Sequence, residues 1–382
     1  MLTRIELDHF KCFERLKLPL APLTLLSGSN AAGKSSVLQS LVLLHQTMLE
    51  HEWSAQLMLN GQSMQLGTVL DVVDKLTGRH TFRVGLDDET QPFLAWTFEG
   101  PRDGMAMNLA TFAIGTTKVS GPNALRHLIP LDRYNEAGSI PHRLRDLTYI
   151  TAERLGPREV YALEDKETTK VVGPRGEHAV SVLFRGRDEL IEEIDGRLLA
   201  NIPRTRLKQI EARMQQFFPG SGLEVQPIAR TNAVTLGLRT SDRTDFHRPV
   251  HVGFGLTQVL PIVVAALSSS KGDLLLIENP EVHLHPSGQA MMGRFLAEVA
   301  ASGVQVILET HSDHVLNGIR RAVRGGVISS DATALHFFRP RADDLDQVVS
   351  PVLDPTGNVD FWPEGFFDQF DKDMNHFAGW ED

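Results

Sequence analysis

Residues 23–44 read LTLLSGSNAAGKSSVLQSLVLL. Gly28-Ser29-Asn30-Ala31-Ala32-Gly33-Lys34-Ser35 is a complete G-x-x-x-x-G-K-[ST] phosphate loop, followed by Ser36. The flanks fit the motif. Leu23, Leu25 and Leu26 form a short apolar run that predicts a buried strand. Val37, Leu38, Leu41 and Leu44 recur at helical spacing after the lysine. Strand, glycine turn and helix N-terminus gather backbone N–H groups and the positive helix end around one anion. Gly28 and Gly33 allow close backbone approach. Lys34 is expected to reach the β- and γ-phosphates of a nucleotide, and Ser35 to offer its hydroxyl to Mg²⁺.

The chain has 382 residues, 42% of them hydrophobic, which suffices for a large core. Its net charge of −10 argues against a general attraction to DNA or to an anionic membrane, so nucleic-acid contact would need a local basic patch. The single cysteine, Cys12, rules out an intramolecular disulfide. The opening MLTRIELDHF carries charges throughout and does not read as a signal peptide. Val259–Leu267 is too short to span a bilayer and contains Pro261. The expected location is cytoplasmic, with no membrane contact.

Working outward, residues 2–7 alternate polar and apolar like an antiparallel strand, and an early strand pair predicts a mixed central sheet. Lys11 stands either near the nucleotide or at a solvated strand end. Gln62 and Gln65 follow an Asn-Gly turn. Residues 80–120 read as strands in series, an antiparallel layer. Arg154 and Arg158 close a strand-like stretch as ligand contacts or as salt-bridge partners of Glu153 and Glu159. Within 161–187, AVSVLF predicts a short strand. Residues 188–218 show helical periodicity through Leu190, Ile191, Ile194, Leu198, Leu207, Ile210, Met214 and Phe217. Arg204, Arg206, Lys208 and Arg213 there form the best local basic patch, either a solvated face or a DNA contact.

A second group of motifs lies near the end. Gly253-Phe254-Gly255-Leu256-Thr257-Gln258 precedes an apolar helix. Leu274–Ile277 predict a buried strand ending in Glu278, a carboxylate expected beside the phosphate-loop strand as a Mg²⁺ partner. Asn279 follows; it can orient a water but cannot accept a proton. Glu281 is the next carboxylate. Residues 304–314, VQVILETHSDH, predict another buried strand, ending in Glu309 and Thr310, with His311 just beyond. A neutral His311 imidazole could bond the γ-phosphate or the attacking water. Glu281 with His283 and His285 also has the look of a weak metal site.

This order of motifs resembles the ABC-type ATPases of the RecF, SMC and OLD group, well over 1–60 and 247–320 and loosely between. The resemblance implies an α/β fold: an ABC-type P-loop head with a mixed central sheet, an antiparallel β layer and a helical insertion. On this reading 1–60 and 247–340 are the nucleotide-binding core, 61–160 the β lobe, 161–246 the insertion and 341–382 a tail module. It implies ATP and Mg²⁺ as ligands. Gly253, Gly255, Thr257 and Gln258 take the signature position and close over the γ-phosphate of a second copy, so a homodimer or higher oligomer is expected. The signature is degenerate, and Thr257 stands in as hydroxyl donor. A glutamine after the first helix, Gln62 or Gln65, contacts Mg²⁺ and water in such enzymes. His283 and His285 fall where the family's interface D-loop lies.

Glu281 with His311 is expected to polarise the water, with Glu278 and Asn279 in the same catalytic turn. The tail looks too short for a Toprim nuclease domain. Trp362, Phe366, Phe367 and Phe370 dock on the parent domain or on a partner, and Asp368, Asp371 and Asp373 are a solvated acidic end or a metal site. The implied function is an ATP-hydrolysing switch that controls a separate effector in DNA repair or anti-phage defence. Two alternatives stand beside it: a DNA-binding or nuclease-like protein, and an ATP-sensing scaffold with little turnover.

Overall fold

The computed structural model describes residues 1–76, 78–122, 124–165, 171–192, 196–241, 243–342, 345–367 and 369–378, the side chains of 369–372 excepted. In chain order, β1 (Leu2–Phe10) and β2 (Phe13–Pro19) form an antiparallel pair, β3 (Leu23–Gly28) leads into the phosphate loop, and α1 (Lys34–Glu50) follows it. Then come β4 (Gln56–Met58), a short α2 (Val69–Val72), and the strands β5 (Thr81–Asp88), β6 (Leu94–Glu99), β7 (Ala106–Ile114) and β8 (Thr117–Ser120). A small hairpin, β9 (Leu125–Arg126) and β10 (Ile129–Pro130), precedes α3 (Ile140–Arg145) and β11 (Thr148–Ile150). The middle holds β12 (Tyr161–Ala162), α4 (Ala179–Gly186), α5 (Arg206–Phe217), β13 (Gly222–Pro227) and β14 (Ala233–Arg239). The last part is α6 (Phe254–Ser268), β15 (Leu274–Glu278), α7 (Pro286–Ala301), β16 (Gln305–Glu309), α8 (Asp313–Arg324), β17 (Thr333–Phe338), β18 (Val348–Val349) and α9 (Gln369–Ala378).

The site is built on a six-stranded sheet of order β11-β15-β16-β3-β17-β18. Its first five strands run parallel and β18 is antiparallel, so the sheet is mixed. Strands buried on both faces need continuous apolar runs. Leu23 and Leu25 of β3 enter one hydrophobic core, with Leu275, Ile277, Val306 and Leu308. Leu26 enters the other, with Leu274, Leu276 and Ile307. The first core lies under α6, α7 and α8. The second lies between α1 and a seven-stranded antiparallel sheet, β2-β1-β5-β6-β7-β4 with β8 on β7.

The early strand pair therefore belongs to the antiparallel sheet, not to the central one; the mixed character comes from β18 at the far end. β11, within 61–160, joins the central sheet beside β15. AVSVLF is helix, not strand. Ala179, Val180 and Leu183 are buried on one face of α4, a helical spacing that a short apolar run does not distinguish from a strand. Among the described residues of 188–218 only Arg206–Phe217 is α-helix. Pro203 blocks an earlier start, and Leu190 bridges Thr205 in extended form. Ile194 lies outside the described residues. The middle segment is thus mixed, its two helices joined by a three-stranded sheet, β12-β14-β13.

Candidate functional site

The phosphate loop is shaped by its neighbours. Gly28 has φ 133°, and a Cβ there would stand 2.1 Å from the Phe338 carbonyl oxygen of β17. Ser29 N donates to that same oxygen at 3.1 Å. Gly33 has φ 112°, and its Cβ would stand 2.4 Å from the Phe13 ring. Ala31 is also left-handed, with φ 61°. The Ala32 carbonyl accepts from Gln347 Nε2 at 3.2 Å. Lys34, 4% exposed, folds back and donates to the carbonyls of Gly28 at 3.0 Å and Ser29 at 2.8 Å. Burial pulls its pKa down, against the attraction of Glu309.

A cleft of about 350 Å³ opens over the loop. Lys11, Asn30, Ala31, Gly33, Lys34, Ser35, Ser36, Gln39, Glu309 and His311 line it, with Cys12. Lys11 thus faces this cleft, its ammonium on Gln39 Oε1. Gln62 and Gln65 are not in the wall; they sit in the turn where Asn60 bridges Gln65.

The expectation that Glu278 stands beside the phosphate-loop strand does not hold. β16 lies between β15 and β3, with Glu278 paired in register to Glu309. The carboxylate in the cleft is Glu309, beside Ser35 in the cleft wall and 5% exposed. Burial first, then Glu278 and Glu281, push its pKa up to about 7, against Ser35 and Lys34. Its Oε2 is buried with no hydrogen-bond partner. Glu278 turns the other way: Oε1 accepts from the Tyr149 hydroxyl at 2.8 Å and Oε2 from Ala152 N at 3.2 Å. An orphaned buried carboxylate oxygen beside a serine hydroxyl fits a hard, oxygen-seeking cation such as Mg²⁺.

Glu281 faces the exit of β16. Its Oε2 accepts from the Thr310 hydroxyl at 2.8 Å, and its Oε1 from His311 N at 3.0 Å and Asn279 Nδ2 at 3.3 Å. Both oxygens are engaged in holding the segment that carries His311. Asn279 is left-handed, φ 42°, and its N–H donates to the Glu309 carbonyl at 2.8 Å. Burial and Lys34 lower the His311 pKa against Glu281, which keeps the ring neutral.

None of Gly253, Gly255, Thr257 and Gln258 lines the Lys34 cleft. Thr257 does not offer a free hydroxyl; it is buried and donates to Phe254 O at 2.9 Å. Gln258 Nε2 donates inward to Leu155 O at 3.2 Å and Arg154 O at 3.4 Å. The outward face of this segment is Gly253 and Phe254, the latter 54% exposed and packed on the His283 ring. His285 accepts from Ser287 N at the start of α7. Among the described residues no group of three His, Cys, Asp or Glu is placed to hold a metal ion.

The basic patch is largely paired: Arg206 with Glu189 at 2.7 Å, Lys208 with Glu211 at 2.8 Å and the buried Arg213 with Glu298 at 2.7 Å. In the tail, Phe366 is buried against Phe337, whereas Trp362 is half exposed under Arg320. Asp368 and the side chains of Phe370 and Asp371 lie outside the described residues. Sequence reasoning missed the inward roles of Tyr149 and Arg154. The only signal for either was its position at the end of a strand-like stretch.

Comparison with known proteins agrees with this fold. The AAA ATPase domain family matches residues 189–316, and two families of proteins of unknown function, DUF2813 and DUF3696, match 1–56 and 328–376. The OLD nuclease of Thermus scotoductus is 25% identical over 344 residues, covering 82% of this chain and 59% of that protein. The Old nuclease of Escherichia phage P2 is 23% identical over 390 residues, covering 92% and 64%. The chain spans less than two thirds of the length of these curated relatives. An SMC head bound to the C-winged helix domain of ScpA shares the fold with a TM-score of 0.54 at 13% identity, covering 92% of this chain and 98% of that one. A Pyrococcus furiosus SMC head with an extended coiled coil, bound to the C-terminal domain of ScpA, gives 0.53 at 12% identity and covers 99% of each. Among the described residues no helix is long and apolar enough to cross a membrane. Domain match, relatives and fold agree with the motifs and support an ABC-type P-loop ATPase of the RecF, SMC and OLD group.

Proposed function

We propose that this chain is an ATP-hydrolysing switch that closes as a dimer around the nucleotide and governs a separate effector, in DNA repair or defence against phage. The observation that carries the reading is the convergence of Lys34, Ser35, Glu309 and His311 on one cleft at the carboxyl ends of β3 and β16. Lys34 exchanges the carbonyls of Gly28 and Ser29 for phosphate oxygens. Ser35 and Glu309 hold Mg²⁺, with Glu278 behind them. Bound there, Mg²⁺ would neutralise charge on the triphosphate. His311, fixed through its backbone by Glu281, presents a neutral imidazole toward the γ-phosphate side. Asn279 supplies no base, so hydrolysis is slow. The uncapped N-terminus of α6 at Gly253 faces outward and is suited to the γ-phosphate bound by a second copy.

The test is steady-state phosphate release together with solution mass, measured with and without ATP and Mg²⁺. Release that rises with protein concentration, alongside a shift to dimer, supports the reading. A monomer with no turnover leaves the ATP-sensing scaffold. A second reading, direct action on nucleic acid, is favoured by the names of the two relatives. Its test is salt-dependent gel shift with and without a non-hydrolysable ATP analogue.

A further inference from the structure

The inference concerns the junction between the Gly253–Gln258 segment and the acidic turn at the end of β15, and it rests on the switch reading above. Arg154 stands between them. It follows β11, which lies beside β15 in the sheet, and its side chain is 6% exposed. Its Nη1 donates to Glu278 O at 3.0 Å and Thr151 O at 3.2 Å, and its Nη2 to Asn279 O at 2.8 Å. On the other side, the Arg154 and Leu155 carbonyls accept from Gln258. A Cβ on Gly156 would stand 3.1 Å from the Phe254 ring, so backbone and signature segment touch there as well.

The turn that Arg154 grips is strained. Asn279 and His283 are both left-handed, at φ 42° and 63°. Such residues persist only where their surroundings hold them. Asn279 is held from two directions: its N–H by the Glu309 carbonyl on the cleft side, its carbonyl by Arg154 on the signature side. The guanidinium fork bonds successive main-chain carbonyls, a geometry that a lysine cannot reproduce. A buried cation is costly to desolvate, and apolar packing would serve stability as well. The chain spends that cost on holding one turn in place.

We infer that Arg154 is a positioning residue that ties Gly253–Gln258 to Glu278–Glu281 of the same chain. Closing of a second copy's nucleotide on the first segment then sets the turn that holds Glu281, His311 and the cleft. Each copy's hydrolytic turn thereby senses whether its own signature face is occupied.

The experiment uses the full chain as wild type, Arg154→Met, Gln258→Leu and the double variant. Hydrogen exchange of residues 278–285 is measured first, without nucleotide. Each single variant speeds exchange in the turn by about fivefold or more, and the double variant matches Arg154→Met alone. Additive increases, or a turn unmoved by Gln258→Leu, overturn the tie. Phosphate release is measured second: Arg154→Met lowers kcat by about tenfold or more while KM for ATP stays within about threefold. A raised KM with kcat intact overturns the inference. Arg154→Lys replaces the methionine variant if that one does not fold, with the same outcomes. Absence of turnover in the wild type would remove the switch reading, and the exchange measurement would still decide the tie.

Discussion

Glu278 and Glu309 sit opposite one another at the ends of adjacent parallel strands, yet their carboxylates serve different neighbours. Glu309 faces Ser35 in the cleft over the glycine loop, and Glu278 bonds Tyr149 and Ala152 on the far side. The two substitutions are therefore expected to differ. Glu309→Gln should lower turnover by about a hundredfold or more and weaken the Mg²⁺ dependence of ATP binding, as expected for a group facing the reacting phosphates. Glu278→Gln keeps an acceptor for Tyr149 and should cost about tenfold. Phosphate release over a Mg²⁺ titration checks both, and equal losses would contradict the assignment.

Glu281 is expected to act through His311. Glu281→Ala frees the Thr310 hydroxyl and the His311 N–H, so turnover should fall about tenfold or more with ATP affinity little changed. Glu281→Gln retains acceptor capacity and should lose less. A larger loss in Glu281→Gln than in Glu309→Gln would restore Glu281 as the base.

Gly28 and Gly253 make a contrast in stability. Gly28→Ala drives a Cβ into the Phe338 carbonyl at a left-handed φ, with no side chain that could yield, so a loss of about 3 kcal/mol or more is expected. Gly253 has φ −56° and open space around it, so Gly253→Ala should change stability by less than about 0.5 kcal/mol. Thermal or urea melts of the two variants decide this.

His336 gives an acid limit. It is buried in β17 between Ser350 Oγ at 2.7 Å and Pro19 O at 2.8 Å, and burial lowers its pKa to about 4 despite the Pro19 bond. Between pH 6.5 and about 4 the unfolded chain binds a proton that the folded chain refuses. Its contribution to stability is therefore complete above pH 6.5 and declines as pH falls through that window. His336→Gln should flatten the fall in melting temperature between pH 7 and 5 relative to wild type.

The legible parts of the molecule were those encoded locally. The phosphate loop is contiguous, and its glycines, lysine and flanking apolar runs are readable one by one. The strand ends at Glu278 and Glu309 were also visible as apolar runs closing on an acid. Which strand lies next to β3 was not visible, because sheet order is a property of chain pairing across hundreds of residues. That alone moved the cleft carboxylate from Glu278 to Glu309. The run at 179–184 was ambiguous at its length, and Pro203 outweighed the periodicity before it. Arg154 was open between ligand contact and salt bridge; the structure shows its guanidinium on main-chain carbonyls across the sheet end.

β3 is flanked by β16 and β17, and the oxygen that fixes Ser29 belongs to Phe338. A ribosome makes the nucleotide loop long before it supplies either bordering strand. Throughout that interval Leu23–Leu26 form an unpaired, greasy ribbon in search of hydrogen-bond partners. Nascent chains that stop before Phe338 should neither retain ATP nor stay dispersed without a chaperone.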